Sequence, residues 1–216
     1  MAWFARAVSS SVGKKYIMAL TGILLGGFLL VHAAGNTTIF LGRAVFLSYA
    51  AHLHALEIAV AVAEVLLLAL FLTHATTGLL LFWENRRART SHYAVSGNAG
   101  GRTWGSATMP YTGILVLAFL LLHLFNFRFI AHDANIADVV SVVLSRPMYA
   151  ILYGAGLAAL TLHVSHGFWS LFQSAGVSHP RYDRLLRNIA WLACGLIISV
   201  FAVIVLLLLV NSNQLA

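Results

Sequence analysis

The chain has 216 residues, of which 61% are hydrophobic and only 9% charged, with a mean hydropathy of +0.89. A water-facing domain carries roughly 25% charge, so this composition excludes a soluble globular protein and sets apolar surface against lipid. The formal net charge of +7 comes from basic residues divided among three connections, which argues against a nucleic-acid surface and for a membrane-topology signal.

Five apolar stretches follow one another at about 16–38, 55–83, 109–130, 147–172 and 189–210. Each is long enough to cross a hydrocarbon layer of roughly 30 Å, so the expected fold is an all-α membrane protein, one domain over 1–216. Arg6, Lys14 and Lys15 precede the first stretch. That stretch is too long for a signal-peptide core, although small residues occur at Ala33–Gly35, and four more spans follow it. It reads as a retained helix. The second span is preceded by His52 and His54 and carries Glu57, Glu64 and His74. Glu84, Arg86, Arg87 and Arg89 form its solvated end, and Arg102 lies beyond. The third carries His123, and the fourth His163 and His166. Arg181, Arg184 and Arg187 stand before the fifth, which holds the lone Cys194. Ten of the thirteen Lys and Arg thus lie on one side, leaving Arg43, Arg128 and Arg146 for the other. The positive-inside rule predicts a cytoplasmic N-terminus and a C-terminus on the far side.

The first and third spans echo each other. Met18-Ala-Leu-Thr21-Gly22-Ile-Leu, then Phe28-Leu-Leu-Val-His32, matches Met109-Pro-Tyr-Thr112-Gly113-Ile-Leu, then Phe119-Leu-Leu-Leu-His123. The second and fourth share His74-Ala-Thr-Thr-Gly78 and His163-Val-Ser-His166-Gly167. One helical hairpin used twice produces such an echo. At 1.5 Å per residue, His32 and His123 stand roughly 24 and 21 Å from the cytoplasmic face, and His74 and His163 roughly 14 Å. Two imidazoles therefore share an outer level and two an inner level.

A lone intramembrane histidine is more often a hydrogen-bond partner or part of a proton path. Four at two matched levels point to two b-type hemes in a bundle of the first four helices. Each iron would take one imidazole per axial side: His74 with His163, and His32 with His123. Gly78 and Gly167, one turn after their histidines, offer close approach to a porphyrin. Gly22 and Gly113 do the same for a second ring. His166 competes with His163, but the repeat aligns it with Thr77, and it suits a heme propionate or a subunit contact. With no C-x-x-C-H in the chain, heme would be held noncovalently. The sequence also lacks a dinucleotide fingerprint and an iron–sulfur cysteine cluster, so redox chemistry in the aqueous phase belongs to other chains. His92, His132 and His179 read as solvated loop residues. Glu57 and Glu64, seven apart on one helix face, are candidates for quinone-coupled proton transfer with His52; a protonated, hydrogen-bonded acid or an interfacial position is the blander reading.

On these residues the chain resembles the diheme cytochrome b anchor of bacterial succinate:quinone oxidoreductases and quinol:fumarate reductases, in its single-chain, five-helix form. The likeness covers essentially the whole chain. Its carriers are Ala19-Leu-Thr21-Gly22, His32-Ala-Ala-Gly-Asn36-Thr-Thr-Ile-Phe-Leu-Gly42, Ala55-Leu-Glu57, His74, His123 and His163-Val-Ser-His-Gly167-Phe-Trp169-Ser170. The resemblance implies a multi-pass protein of the bacterial cytoplasmic membrane. It implies two hemes b on the four histidines, menaquinone as substrate, and partner subunits carrying FAD and iron–sulfur clusters, with dimers of complexes open. The chain would then be the quinone-reactive part of an enzyme whose flavin chemistry lies elsewhere. Ser10, Ser11, Lys14, Lys15 and Arg181 are candidates for contacts with those partners or with propionates. Thr161 departs from relatives that place a proton-conducting glutamate two residues before the fourth-helix ligand. Rival readings are the cytochrome b anchor of a hydrogenase or formate dehydrogenase, and a heme-free proton-coupled transporter.

Overall fold

The computed structural model describes residues 2–88, 104–129, 134–177, 179 and 181–211. These residues are 92% helical and include no strand. Helix α1 (Ala2–Ser9) turns directly into α2 (Ser11–Asn36) at Ser10, whose hydroxyl caps α2 by accepting the Gly13 N–H at 3.0 Å. A Cβ on Gly13 would stand 2.1 Å from the Ala7 carbonyl oxygen, so only glycine lets this corner close. A 3-10 turn, Thr37–Leu41, extends α2 and stops at Gly42, whose φ of 95° is a conformation L side chains avoid. Helices α3 (Arg43–Ala55), α4 (Glu57–Arg87) and α5 (Trp104–Leu124) follow, and α5 runs into a π-helical turn, Phe125–Phe129. Asn135 caps α6 (Ile136–Leu144) by accepting the Asp138 N–H at 3.2 Å. Pro147 begins α7 (Pro147–Ser174), where its missing N–H costs no helical bond. Helix α8 (Asp183–Val210) completes the described order.

Five of these segments are long and apolar enough to cross a membrane: Ser11–Leu41, Glu57–Arg87, Gly105–Phe129, Pro147–Ser174 and Asp183–Val210. They match the five apolar stretches of the sequence and extend several of them, because a helix continues past its apolar stretch into polar ends. The extra residues include Lys14 in α2, Arg86 in α4 and Arg184 in α8.

Helix α7 packs against α5 and α8, α2 packs against α4 and α7, and α8 also touches α2. Gly156 sets the α5–α7 distance: a Cβ there would lie 2.3 Å from the Phe119 ring. The best-buried side chains gather at the end that carries α3 and α6, among them Ile39, Ala137, Tyr153 and Leu208. There Arg43 donates to Asp138 at 2.5 Å, joining α3 to α6. That hydrogen bond, with its attraction, holds the Asp138 carboxyl below its ordinary value of 3.8. At the opposite end, Lys14 of α2 pairs with Glu84 of α4. The apolar window of α4 has none of its residues buried, and Ile58 and Val65 stand open on its surface, as suits a helix bathed in lipid.

Candidate functional site

Four half-buried histidines on four helices meet in twos. His32 of α2 faces His123 of α5 with ring centres 5.8 Å apart. His74 of α4 faces His163 of α7 with ring centres 6.2 Å apart. The ring planes of the two pairs are inclined at 89° and 73°. These are the pairs expected from the spacing.

Their separation along the helices follows from a contact. His74 Nδ1 lies 3.0 Å from the Thr21 hydroxyl, and His32 stands eleven residues beyond Thr21 on the same helix. His163 Nδ1 lies 3.3 Å from the Thr112 hydroxyl, and His123 stands eleven residues beyond Thr112. At 1.5 Å per residue the two pairs are about 16 Å apart along the axis.

The repeat in the sequence reappears as a repeat of contacts. A Cβ on Gly22 would meet His74 Cε1 at 3.3 Å, and one on Gly113 would meet His163 Cε1 at 3.3 Å. The Met18 methyl lies over Gly78 at 3.4 Å, and the Met109 methyl over Gly167 at 3.6 Å, measured to the same added atom. Gly22 and Gly113 leave room for the imidazole of the neighbouring helix at the His74/His163 level. Gly78 and Gly167 are covered by methionine methyls.

The surroundings of the two pairs differ. Phe28 stacks on His32 at 5.4 Å, and Phe201 of α8 lies 5.5 Å from it, so the fifth span also lines the site. Asn36 Nδ2 donates to the His32 carbonyl at 2.8 Å and stands 3.5 Å from its Nδ1. Phe119, Phe127 and Tyr153 surround the His123 ring, and Tyr153 is held by Asn126, which donates to its hydroxyl at 3.2 Å. The sequence reading missed Thr21, Thr112, Tyr153, Asn126 and Phe201 as neighbours of the histidines. Only the threonines carried a signal, because they align in the repeat.

Other candidates lie apart from the four histidines. His166 sits one turn past His163, against Gly105 and 5.8 Å from Trp169. Glu64 is bound by Arg128, whose Nε and second guanidinium nitrogen donate at 2.9 and 3.0 Å. The protonated, hydrogen-bonded acid considered for it is replaced by an ion pair. Glu57 opens α4 beside Ile58 and Ala61 in a shallow hollow. His52 donates from Nδ1 to the Ser48 carbonyl at 2.7 Å and lines a separate hollow with Tyr49. His52 and the two glutamates are therefore not brought together by any described contact. Glu84 and Lys14, expected as a solvated end and a partner contact, bind each other. Ser10 serves as a helix cap, Ser11 and Lys15 are exposed, and Arg181 lies over the Tyr182 ring. His179 accepts the Arg181 N–H at 3.2 Å. His92, His132, Arg89 and Arg102 lie outside the described residues.

The donor set can be tested against a heme iron. An imidazole nitrogen binds a metal at roughly 2 Å, so two rings sharing one iron have centres roughly 6 Å apart. Both pairs meet that spacing. Among the described residues no three or more His, Cys, Asp or Glu gather into one group. Pairs are what a porphyrin iron, already held by its macrocycle, takes from a protein. No family model, curated protein or solved structure matches the chain.

Proposed function

We propose that this chain is a membrane cytochrome b with two hemes, the anchor of a succinate:quinone oxidoreductase or quinol:fumarate reductase. The observation that carries the reading is the pairing of four intramembrane histidines at 5.8 and 6.2 Å on two levels. His74 and His163 would hold one heme, and His32 and His123 the other. When bound, the hemes supply one-electron chemistry. The chain's own residues fix the imidazoles, exclude water with apolar packing, and leave lipid-soluble quinone free to reach the protein from the bilayer.

Orientation follows from charge. The end bearing Lys14, Arg86, Arg87, Arg181, Arg184 and Arg187 would face the cytoplasm of a bacterial cell. Arg87 over Trp83 at 5.1 Å and Arg187 over Trp169 at 5.2 Å put aromatic rings and cations together at that end, as at a membrane boundary. Its basic surface suits docking of the iron–sulfur and flavoprotein subunits. The four-helix grouping of the ligands, the menaquinone substrate and the succinate/fumarate partners rest on the family resemblance together with this geometry.

Purifying the chain with its membrane partners and recording a reduced-minus-oxidised spectrum tests the reading. Two hemes b per chain, copurifying with flavin and iron–sulfur protein, is the expected result. A colourless protein would sink it in favour of transport. Copurification with a nickel or molybdenum protein would keep the hemes and change the enzyme.

A further inference from the structure

Resting on the heme reading, we infer that Thr21 and Thr112 are positioning residues that hold the His74/His163 pair in its iron-binding tautomer. A neutral imidazole has one N–H and one lone-pair nitrogen, and its neighbours decide which is which. The Thr21 hydroxyl spends its only proton on the Ile17 carbonyl, 2.7 Å away. It can therefore meet His74 Nδ1, at 3.0 Å, only as an acceptor. Two acceptors do not bond each other, so Nδ1 carries the proton and Nε2 keeps the lone pair that a metal needs. Thr112 repeats the arrangement: its hydroxyl donates to the Met109 or Thr108 carbonyl at 3.1 and 3.2 Å and faces His163 Nδ1 at 3.3 Å.

A threonine in an apolar helix commonly satisfies itself by bonding the carbonyl one turn back. Thr73, Thr76 and Thr161 do this here. Thr21 and Thr112 go further, because their remaining lone pairs are aimed at an imidazole across a helix interface, twice, at matched places in the repeat. Accepting from Nδ1–H also makes the imidazole a more basic ligand, which favours ferric iron. Among the described residues no threonine hydroxyl meets the His32/His123 pair; Asn36 and aromatic rings surround it instead. One pair thus serves as the internal control for the other.

The test compares Thr21→Val and Thr112→Val, which keep the shape and lose the oxygen, with Thr21→Ser and Thr112→Ser, which keep the oxygen. Each is purified as the full complex, and heme per chain and the midpoint potential of each heme are measured. The valine variants, which keep the side-chain shape, should retain both hemes. The heme assigned to His74/His163 should shift to a higher potential, the other should stay in place, and the serine variants should match the parent. Should valine instead expel that heme, restoration by serine supports the same role. Unchanged potentials in a two-heme valine variant, or a serine variant as disturbed as the valine one, would overturn it. A parent protein without heme would overturn the heme reading itself, a result distinct from either.

Discussion

Gly22 and Gly113 each leave a space that the edge of a neighbouring imidazole fills at 3.3 Å. A single methyl there would need a shift of a few tenths of an ångström, whereas a branched side chain has nowhere to go. Gly22→Val and Gly113→Val should therefore lower occupancy of the His74/His163 heme while the His32/His123 heme persists, a difference read from heme per chain. His166→Ala should retain both hemes, since the ring facing His74 belongs to His163. The histidines were legible in the sequence because an imidazole in an apolar span is rare enough to stand out. Thr21 and Thr112 were visible as matched letters, but their meaning depends on which neighbouring side chain faces them, and that is set by packing between helices. The same holds for Gly22, whose partner lies on α4 and not on its own helix. Glu64 was read as a proton-transfer candidate or a protonated, hydrogen-bonded acid because nothing in the chain order announces Arg128 beside it.

Helices α5 and α7 approach closely where Gly156 admits the Phe119 ring. Phe119 also touches His123, so this contact joins helix packing to the site. Gly156→Leu would force the ring aside and should destabilise the protein by about 1–3 kcal/mol; a lower Tm of the detergent-solubilised protein checks this. At the α3–α6 end, the link between Arg43 and Asp138 keeps the carboxylate charged below its ordinary range. A depressed carboxylate stabilises the fold above its unfolded pKa, and that contribution disappears as pH falls through the folded value. Asp138→Asn should therefore speed hydrogen exchange in Arg43–Ala55 at pH 7. The difference from the parent should shrink as pH drops below the ordinary value of 3.8 and vanish only below the depressed folded value. The five spans were plain in the sequence because length and hydropathy suffice to define them. Helices α3 and α6, of 13 and 9 residues, were not, since segments that short depend on their caps and on packing against the long helices.

Across the whole molecule, polar residues are sorted by height. Most cations sit at the end where α1 and the α7–α8 connection lie, the best-packed core sits at the other, and paired histidines occupy two levels between. Reporter fusions should place the C-terminus outside the cytoplasm if the basic end is cytoplasmic, and inside it if the charge argument fails. The vertical order of the histidines could be read from sequence because 1.5 Å per residue converts position into depth. The lateral order could not: that α2 packs against both α4 and α7, and that α8 reaches His32 through Phe201, depends on side-chain fit. The pairing itself is best tested by replacing His32, His74, His123 and His163 with alanine one at a time and titrating the remaining heme by potential. His32→Ala and His123→Ala should lose the same heme, and His74→Ala and His163→Ala the other, leaving two complementary single-heme proteins. Loss of the same heme from variants of different pairs, or four variants that all keep both hemes, would contradict the two-level arrangement.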